Sequence, residues 1–178
     1  VFLNDVNGDG NVDILGGNWG WNTKYWSGKN GPLRLYVEDF DNNGRTDQLL
    51  SYTVDGKEYP FLAKDEMERA LPVLRKHYLH YAEYAGLPMK DAFYGFAETV
   101  TPLQAERPGS AVAYGNGKGG FEIKDLPADL QLAPIFSFQK MQTNGKGSQY
   151  ISGGNFFDVI PYEGRYDAQP LALFGASK

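Results

Sequence analysis

Short runs of alternating apolar and polar residues, broken by glycine- and asparagine-rich stretches, dominate the chain. Alternation with a period of two marks a strand that lays one face on a core. It predicts strands over 12–17, 33–40, 47–54, 57–62, 110–114, 120–124, 134–139, 148–153 and 170–175. Tyr114-Gly115-Asn116-Gly117-Lys118-Gly119-Gly120-Phe121 reads as a hairpin turn with an aromatic opening the next strand. Leu171-Ala172-Leu173-Phe174 reads as a closing strand. One segment departs from the alternation. Met67, Ala70, Leu71, Leu74, Tyr78 and Tyr81 recur at helical spacing. Asp65 with Glu68 three residues later resembles a capping box. Pro72 is expected to kink this helix or to start a second one. The fold class expected is all-β, with a helical insertion over 64–95 inside one repeat region, 1–178.

The breaks between strands are themselves repetitive. Asp5-Val6-Asn7-Gly8-Asp9-Gly10-Asn11-Val12-Asp13 is matched by Asp39-Phe40-Asp41-Asn42-Asn43-Gly44-Arg45-Thr46-Asp47. Each unit carries side-chain oxygens at its first, third, fifth and ninth positions and glycine at its sixth. A degenerate third copy runs from Lys140 to Ser148, keeping the glycine at Gly145 and losing the acids. The flanks repeat as well. Gly16-Gly17-Asn18-Trp19 follows the first loop and Gly153-Gly154-Asn155-Phe156 follows the third.

This spacing suits a hard cation. Ca²⁺ takes oxygen ligands, and alternate residues of a tight loop turn their side chains toward one centre. The sixth-position glycine permits the sharp bend, and the seventh residue offers its backbone carbonyl. The candidate ligands of loop one are Asp5, Asn7, Asp9, the Asn11 carbonyl and Asp13. Those of loop two are Asp39, Asp41, Asn43, the Arg45 carbonyl and Asp47. Three carboxylates in so small a loop repel one another without an ion. The competing reading is that Asp-Gly and Asn-Gly strings are plain turns.

Neither loop fits an EF-hand, whose twelfth position is Glu; here Gly16 and Leu50 stand there, and strand-like sequence follows. A dockerin repeat needs an amphipathic helix after its loop, which Gly16-Gly17-Asn18-Trp19-Gly20 does not readily supply. In the third copy Lys140 replaces the first carboxylate and Ser148 the last. The expectation is a metal-free loop, either with the Lys140 ammonium standing where a cation would sit or as a plain solvated turn.

Composition narrows the function classes. The 178 residues include 22 Gly, 12 Tyr, 11 Phe and 3 Trp, a mix that favours strands and tight turns over helical bundles. The formal net charge of −5 comes without a basic stripe, which argues against a nucleic-acid partner. The absence of cysteine removes disulfides, thiolate zinc sites and cysteine nucleophiles. No apolar run is long enough to span a bilayer as a helix. The sequence opens at Val1 already inside a motif, so a piece of a longer protein is expected.

The Asp-x-Asn-x-Asp-Gly-x-x-Asp loop between strands, together with Gly115-Asn116-Gly117-Lys118-Gly119-Gly120-Phe121, resembles the FG-GAP/VCBS repeat family, which includes integrin α-chain propellers. Asn18-Trp19-Gly20-Trp21-Asn22, Leu33 to Asp41 and Gly164-Arg165-Tyr166-Asp167-Ala168 are similar to bacterial members of Bacteroidetes type. The resemblance covers nearly the whole chain apart from 64–95. It implies β-propeller blades, two Ca²⁺ sites, an extracellular, cell-surface or periplasmic location, and a role in protein binding or adhesion. Propellers have about four to eight blades, and this chain supplies roughly three, which implies a fragment or a self-associating unit with exposed strand edges.

Enzyme signatures are missing. His77 and His80 are the only histidines and no third ligand accompanies them. There is no nucleophile elbow, phosphate loop or dinucleotide fingerprint. The alternative to an adhesion module is a carbohydrate-active one, either glycan-binding or part of a polysaccharide lyase. Trp19, Trp21, Tyr25 and Trp26 form an aromatic run whose expected role is packing, with Trp19, Trp21 and Trp26 as the candidate sugar- or protein-binding surface. Around Tyr162 to Asp167, Arg165 is expected to pair with Asp167 or another nearby acid.

Overall fold

A computed structural model describes residues 1–25, 31–142, 148–159 and 164–175, without the side chains of 96 and 97. Its strands, in chain order, are β1 (Phe2–Asn4), β2 (Asp13–Gly16), β3 (Leu33–Glu38), β4 (Asp47–Val54), β5 (Lys57–Pro60), β6 (Leu103–Ala105), β7 (Ala111–Gly115), β8 (Phe121–Asp125), β9 (Ile135–Met141), β10 (Gln149–Gly154) and β11 (Ala172–Gly175). Three short α-helices, α1 (Lys64–Ala70), α2 (Tyr81–Tyr84) and α3 (Met89–Ala92), lie between β5 and β6. The fold is mostly β, built as three antiparallel sheets ordered β1-β2-β7-β8, β5-β4-β3-β6 and β11-β10-β9.

The chain divides into two compact units, Val1–Trp26 with Pro108–Lys178, and Ser27–Arg107. The first holds the sheets containing β1 and β9. Val6, Leu15, Val112, Leu126, Leu130, Ile135, Phe138 and Tyr150 form its core. The repeated glycines have a specific job here. A Cβ at Gly17 would strike the backbone carbonyl of Ile135, and one at Gly154 the carbonyl of Pro134. Both Gly-Gly-Asn strings therefore run against the same stretch of chain, and the contacts are tied by Ile135 N–H to Asn18 O at 3.0 Å and Asn155 N–H to Pro134 O at 2.8 Å.

The second unit packs its helical segment on one sheet. Tyr36, Phe40 and Leu49 from the strands meet Met67, Leu71, Leu74, Tyr78, Met89, Ala92 and Phe93 from the helical segment. Pro72 does not merely kink the predicted helix. It opens a separate 3-10 helix, Pro72–Lys76, because its ring cannot continue the α-helical hydrogen bonds. The expected cap at Asp65 is also absent: α1 begins one residue earlier at Lys64, with Ala63 at the cap position. The capping interaction forms instead at α2, where Glu83 accepts the His80 N–H at 2.9 Å. Across β3, β4 and β5, Glu58 binds Arg34 at 3.1 Å, accepts the Tyr36 hydroxyl at 2.8 Å, and bonds the Ser51 hydroxyl. Burial, followed by the adjoining Glu58 carboxylate, pushes the Tyr36 hydroxyl above its ordinary pKa.

Each sheet contains one copy of the loop repeat at a hairpin between hydrogen-bonded neighbours. Loop one joins β1 to β2, loop two joins β3 to β4, and the degenerate copy joins β9 to β10. Residues 143–147 of the degenerate copy lie outside the described residues, and so does its proposed Lys140 contact; Lys140 itself sits in β9 opposite Tyr150. No helix among the described residues is long and apolar enough to cross a membrane.

Candidate metal loops and the adjoining groove

Loops one and two share most of their internal wiring, and loop one adds a bond from Gly8 N–H to Asp5 at 2.7 Å. The first aspartate accepts backbone N–H groups from the fifth and sixth positions. Asp5 takes Asp9 at 3.1 Å and Gly10 at 2.9 Å; Asp39 takes Asn43 at 2.9 Å and Gly44 at 2.8 Å. The third residue accepts from the fifth, Asn7 from Asp9 at 2.9 Å and Asp41 from Asn43 at 3.3 Å. The fifth accepts from the seventh, Asp9 from Asn11 at 2.7 Å and Asn43 from Arg45 at 2.9 Å. The ninth closes the loop on the second, Asp13 on Val6 at 2.8 Å and Asp47 on Phe40 at 3.1 Å.

The backbone agrees with this wiring. The sixth-position glycines are left-handed, Gly10 at φ 87° and Gly44 at φ 82°. The fourth position is left-handed in both loops as well, although loop two carries Asn42 there. Val6 and Phe40, the second residues, are buried and anchor each loop to its own core. These anchors were visible only as apolar residues among acids.

The loops differ in where their carboxylates point. Asp39, Asp41 and Asp47 each bring an oxygen within 4.8 Å of the other two, and all three are half-buried. Among the described residues, the acids of loop one are not gathered in this way. Asp13 is fully buried, and both of its oxygens accept backbone N–H groups, Oδ1 from Gly115 at 2.8 Å and Oδ2 from Val6. The hydrogen bond from the Asn11 N–H, ahead of that from the Asn7 side chain, lowers the pKa of Asp9. Desolvation raises that of Asp47; the Phe40 N–H opposes the rise, and the charges of Asp41 and Asp39 add to it. The three carboxylates together offer three oxygen ligands of the kind a hard divalent cation takes.

No protein-family model, curated protein or solved structure matches the chain.

Loop one also makes a contact that loop spacing did not reveal. The β7–β8 hairpin lies against it, and two hairpin glycines make room. A Cβ at Gly115 would strike the Val12 carbonyl, and one at Gly117 would come within 2.5 Å of Asn11 Oδ1. Between loop and hairpin lies an open groove of about 910 Å³. Loop one contributes Asn7, Asp9 and Asn11 to it; the hairpin contributes Tyr114, Asn116 and Phe121, with Glu122 and Lys124 beyond.

Trp19 and Trp21 sit in packed surroundings. Trp19 is half-buried and meets Tyr25 at 4.9 Å, Phe156 at 5.3 Å and Tyr166 at 5.5 Å between ring centroids. Trp21 lies over Gly109, where a Cβ would come within 2.6 Å of its Nε1, and the Trp21 backbone N–H donates to Gln131 O at 2.8 Å. Trp26 lies outside the described residues, as do Tyr162 and Glu163. Arg165 stands over the Phe157 ring at 6.0 Å. His77 packs on Tyr94 with centroids 4.4 Å apart.

Proposed function

We propose that the chain is a calcium-binding module of the FG-GAP/VCBS repeat kind, built of propeller-type blades, that serves protein binding or adhesion on a secreted, surface or periplasmic protein. The observation that carries this reading is the position-for-position hydrogen-bond match of two loops from different units, joined in loop two to the convergence of Asp39, Asp41 and Asp47. The placement of one loop copy in each of three sheets supports a blade-like repeat.

The side chains of Asp39, Asp41, Asn43 and Asp47, with the Arg45 carbonyl, would hold the ion of loop two. Bound calcium would offset two of the three like charges and fasten the end of β3 to the start of β4. In loop one Asp5, Asn7, Asp9, Asn11 and Asp13 would play the matching parts. There Asp13 already ties the loop to β7 through Gly115. The chain's role is then to hold rigid blades from which surface loops meet a partner. Equilibrium dialysis with radioactive calcium tests the reading. Two ions per chain are expected, falling to one in Asp39→Ala; no bound calcium in the intact chain would refute it.

A further inference from the structure

We propose that the groove between loop one and the β7–β8 hairpin binds a neutral saccharide. This rests on the groove's lining and on no ion in the loops. Two aromatic rings and a ring of hydrogen-bonding side chains converge on one open cleft of about 910 Å³. A saccharide has the same double character: apolar C–H faces that stack on an aromatic, and adjacent hydroxyls that need both donors and acceptors.

Phe121 supplies the exposed aromatic. It is 51% exposed at the start of β8, opposite Gly115, and its Cε1 lies 3.5 Å from where a Gly115 Cβ would be. An exposed ring held over a glycine on a rigid hairpin gains by covering its face. Asn116 is pinned beside it. Its Oδ1 accepts the N–H groups of Lys118 at 2.9 Å and Gly120 at 3.0 Å. Those bonds fix the amide and commit only its oxygen, so the amino group can donate to a hydroxyl. Asn7 and Asp9 are likewise set by loop one's own wiring. The polar groups therefore need little ordering when a ligand arrives.

Charge selects among ligands. Among the described residues that line the groove the one cation is Lys124, paired with Glu122 at 3.1 Å and 5.5 Å from the Tyr114 ring. Asp9 and Glu122 set against Lys124 leave the lining at −1. A phosphate, a nucleotide or an acidic sugar would meet that excess negative charge, whereas a neutral saccharide meets no unpaired cost.

The test is a glycan array of neutral and acidic saccharides probed with the full chain in EDTA buffer, where the loops carry no ion and the lining keeps its negative charge. Calorimetric titration of the best-retained saccharide into wild type, Phe121→Ala and Asn116→Asp follows. The expected result is retention of neutral saccharides and about a tenfold loss of affinity in Phe121→Ala, on the scale of one lost aromatic contact, at an unchanged melting temperature. Should Phe121→Ala melt early, a weakening in Asn116→Asp at wild-type melting carries the same support, because that variant keeps the oxygen that accepts Lys118 and Gly120 N–H and loses the amino group. Retention of no saccharide, retention of acidic saccharides alone, or affinity unchanged in both variants would overturn the proposal.

Discussion

Asp13 and Gly115 stand 102 residues apart and meet in the interior, where the Gly115 N–H donates to Asp13 Oδ1 at 2.8 Å. The other Asp13 oxygen accepts Val6 N–H at 2.8 Å and Asn7 N–H at 3.4 Å. One side chain thus closes loop one and fastens it to a hairpin from the far end of the chain. Asp13→Ala strands those amides in a buried setting and is expected to cost about 3 kcal/mol, the range for losing buried hydrogen bonds to a charged group. Urea unfolding in EDTA checks this, with a lower midpoint at an unchanged slope.

Loop and hairpin are also fitted by size. Gly115→Ala places a methyl group on the Val12 carbonyl, so the hairpin must move away from loop one. A loss of about 2 kcal/mol or more is expected. Gly44→Ala is the contrast. Nothing lies within 4 Å of its Cβ position and only its left-handed φ of 82° is strained, so about 1 kcal/mol is expected. Thermal melts of both variants beside wild type rank the two effects.

Much of this arrangement was legible in the sequence, and the illegible part has physical causes. The loop repeats, most strands and the helical character of 64–95 follow from local periodicity and turn chemistry. β1 and β6 span only Phe2–Asn4 and Leu103–Ala105, too short to show an alternation. The partnership of β2 with β7 pairs Leu15 with Val112, and no local pattern encodes which distant strand a strand will choose. The groove escaped for the same reason. Gly115 and Gly117 read as hairpin residues, and only the folded chain shows Val12 and Asn11 filling the space they leave.

Alkali should unfold the Ser27–Arg107 unit cooperatively. Burial first, and then neighbouring hydroxyl or carboxylate groups, raise the pKa of Tyr36, Tyr78 and Tyr84 above the ordinary 10.0. Because the folded values lie above the unfolded one, their contribution to stability is intact below pH 10.0 and is lost as the pH rises beyond it. Tyrosinate absorbance followed against pH should show these three ionising in one step together with loss of circular dichroism. Smooth titration of all tyrosines before unfolding would contradict this.

Protons should compete with calcium at loop two. Asp47 has a raised pKa in the ion-free fold, so it favours the folded state as the pH falls toward its unfolded value and loses that contribution as the pH rises past the folded value. Calcium needs the ionised form. Binding heats in mildly acidic solution are therefore expected to depend on the buffer's ionisation enthalpy, through released protons. That dependence should weaken as the pH rises.

Calorimetric titration of calcium into EDTA-stripped protein, with the melting temperature followed in parallel, tests the central claim most directly. Two sites are expected, saturating in about the 10⁻⁴–10⁻³ M range of extracellular modules, with a melting temperature that climbs as they fill. Asp39→Asn should remove one site and leave the other. No heat and no change in melting temperature across that range would mean that the acidic loops are hydrogen-bonded turns and not metal sites.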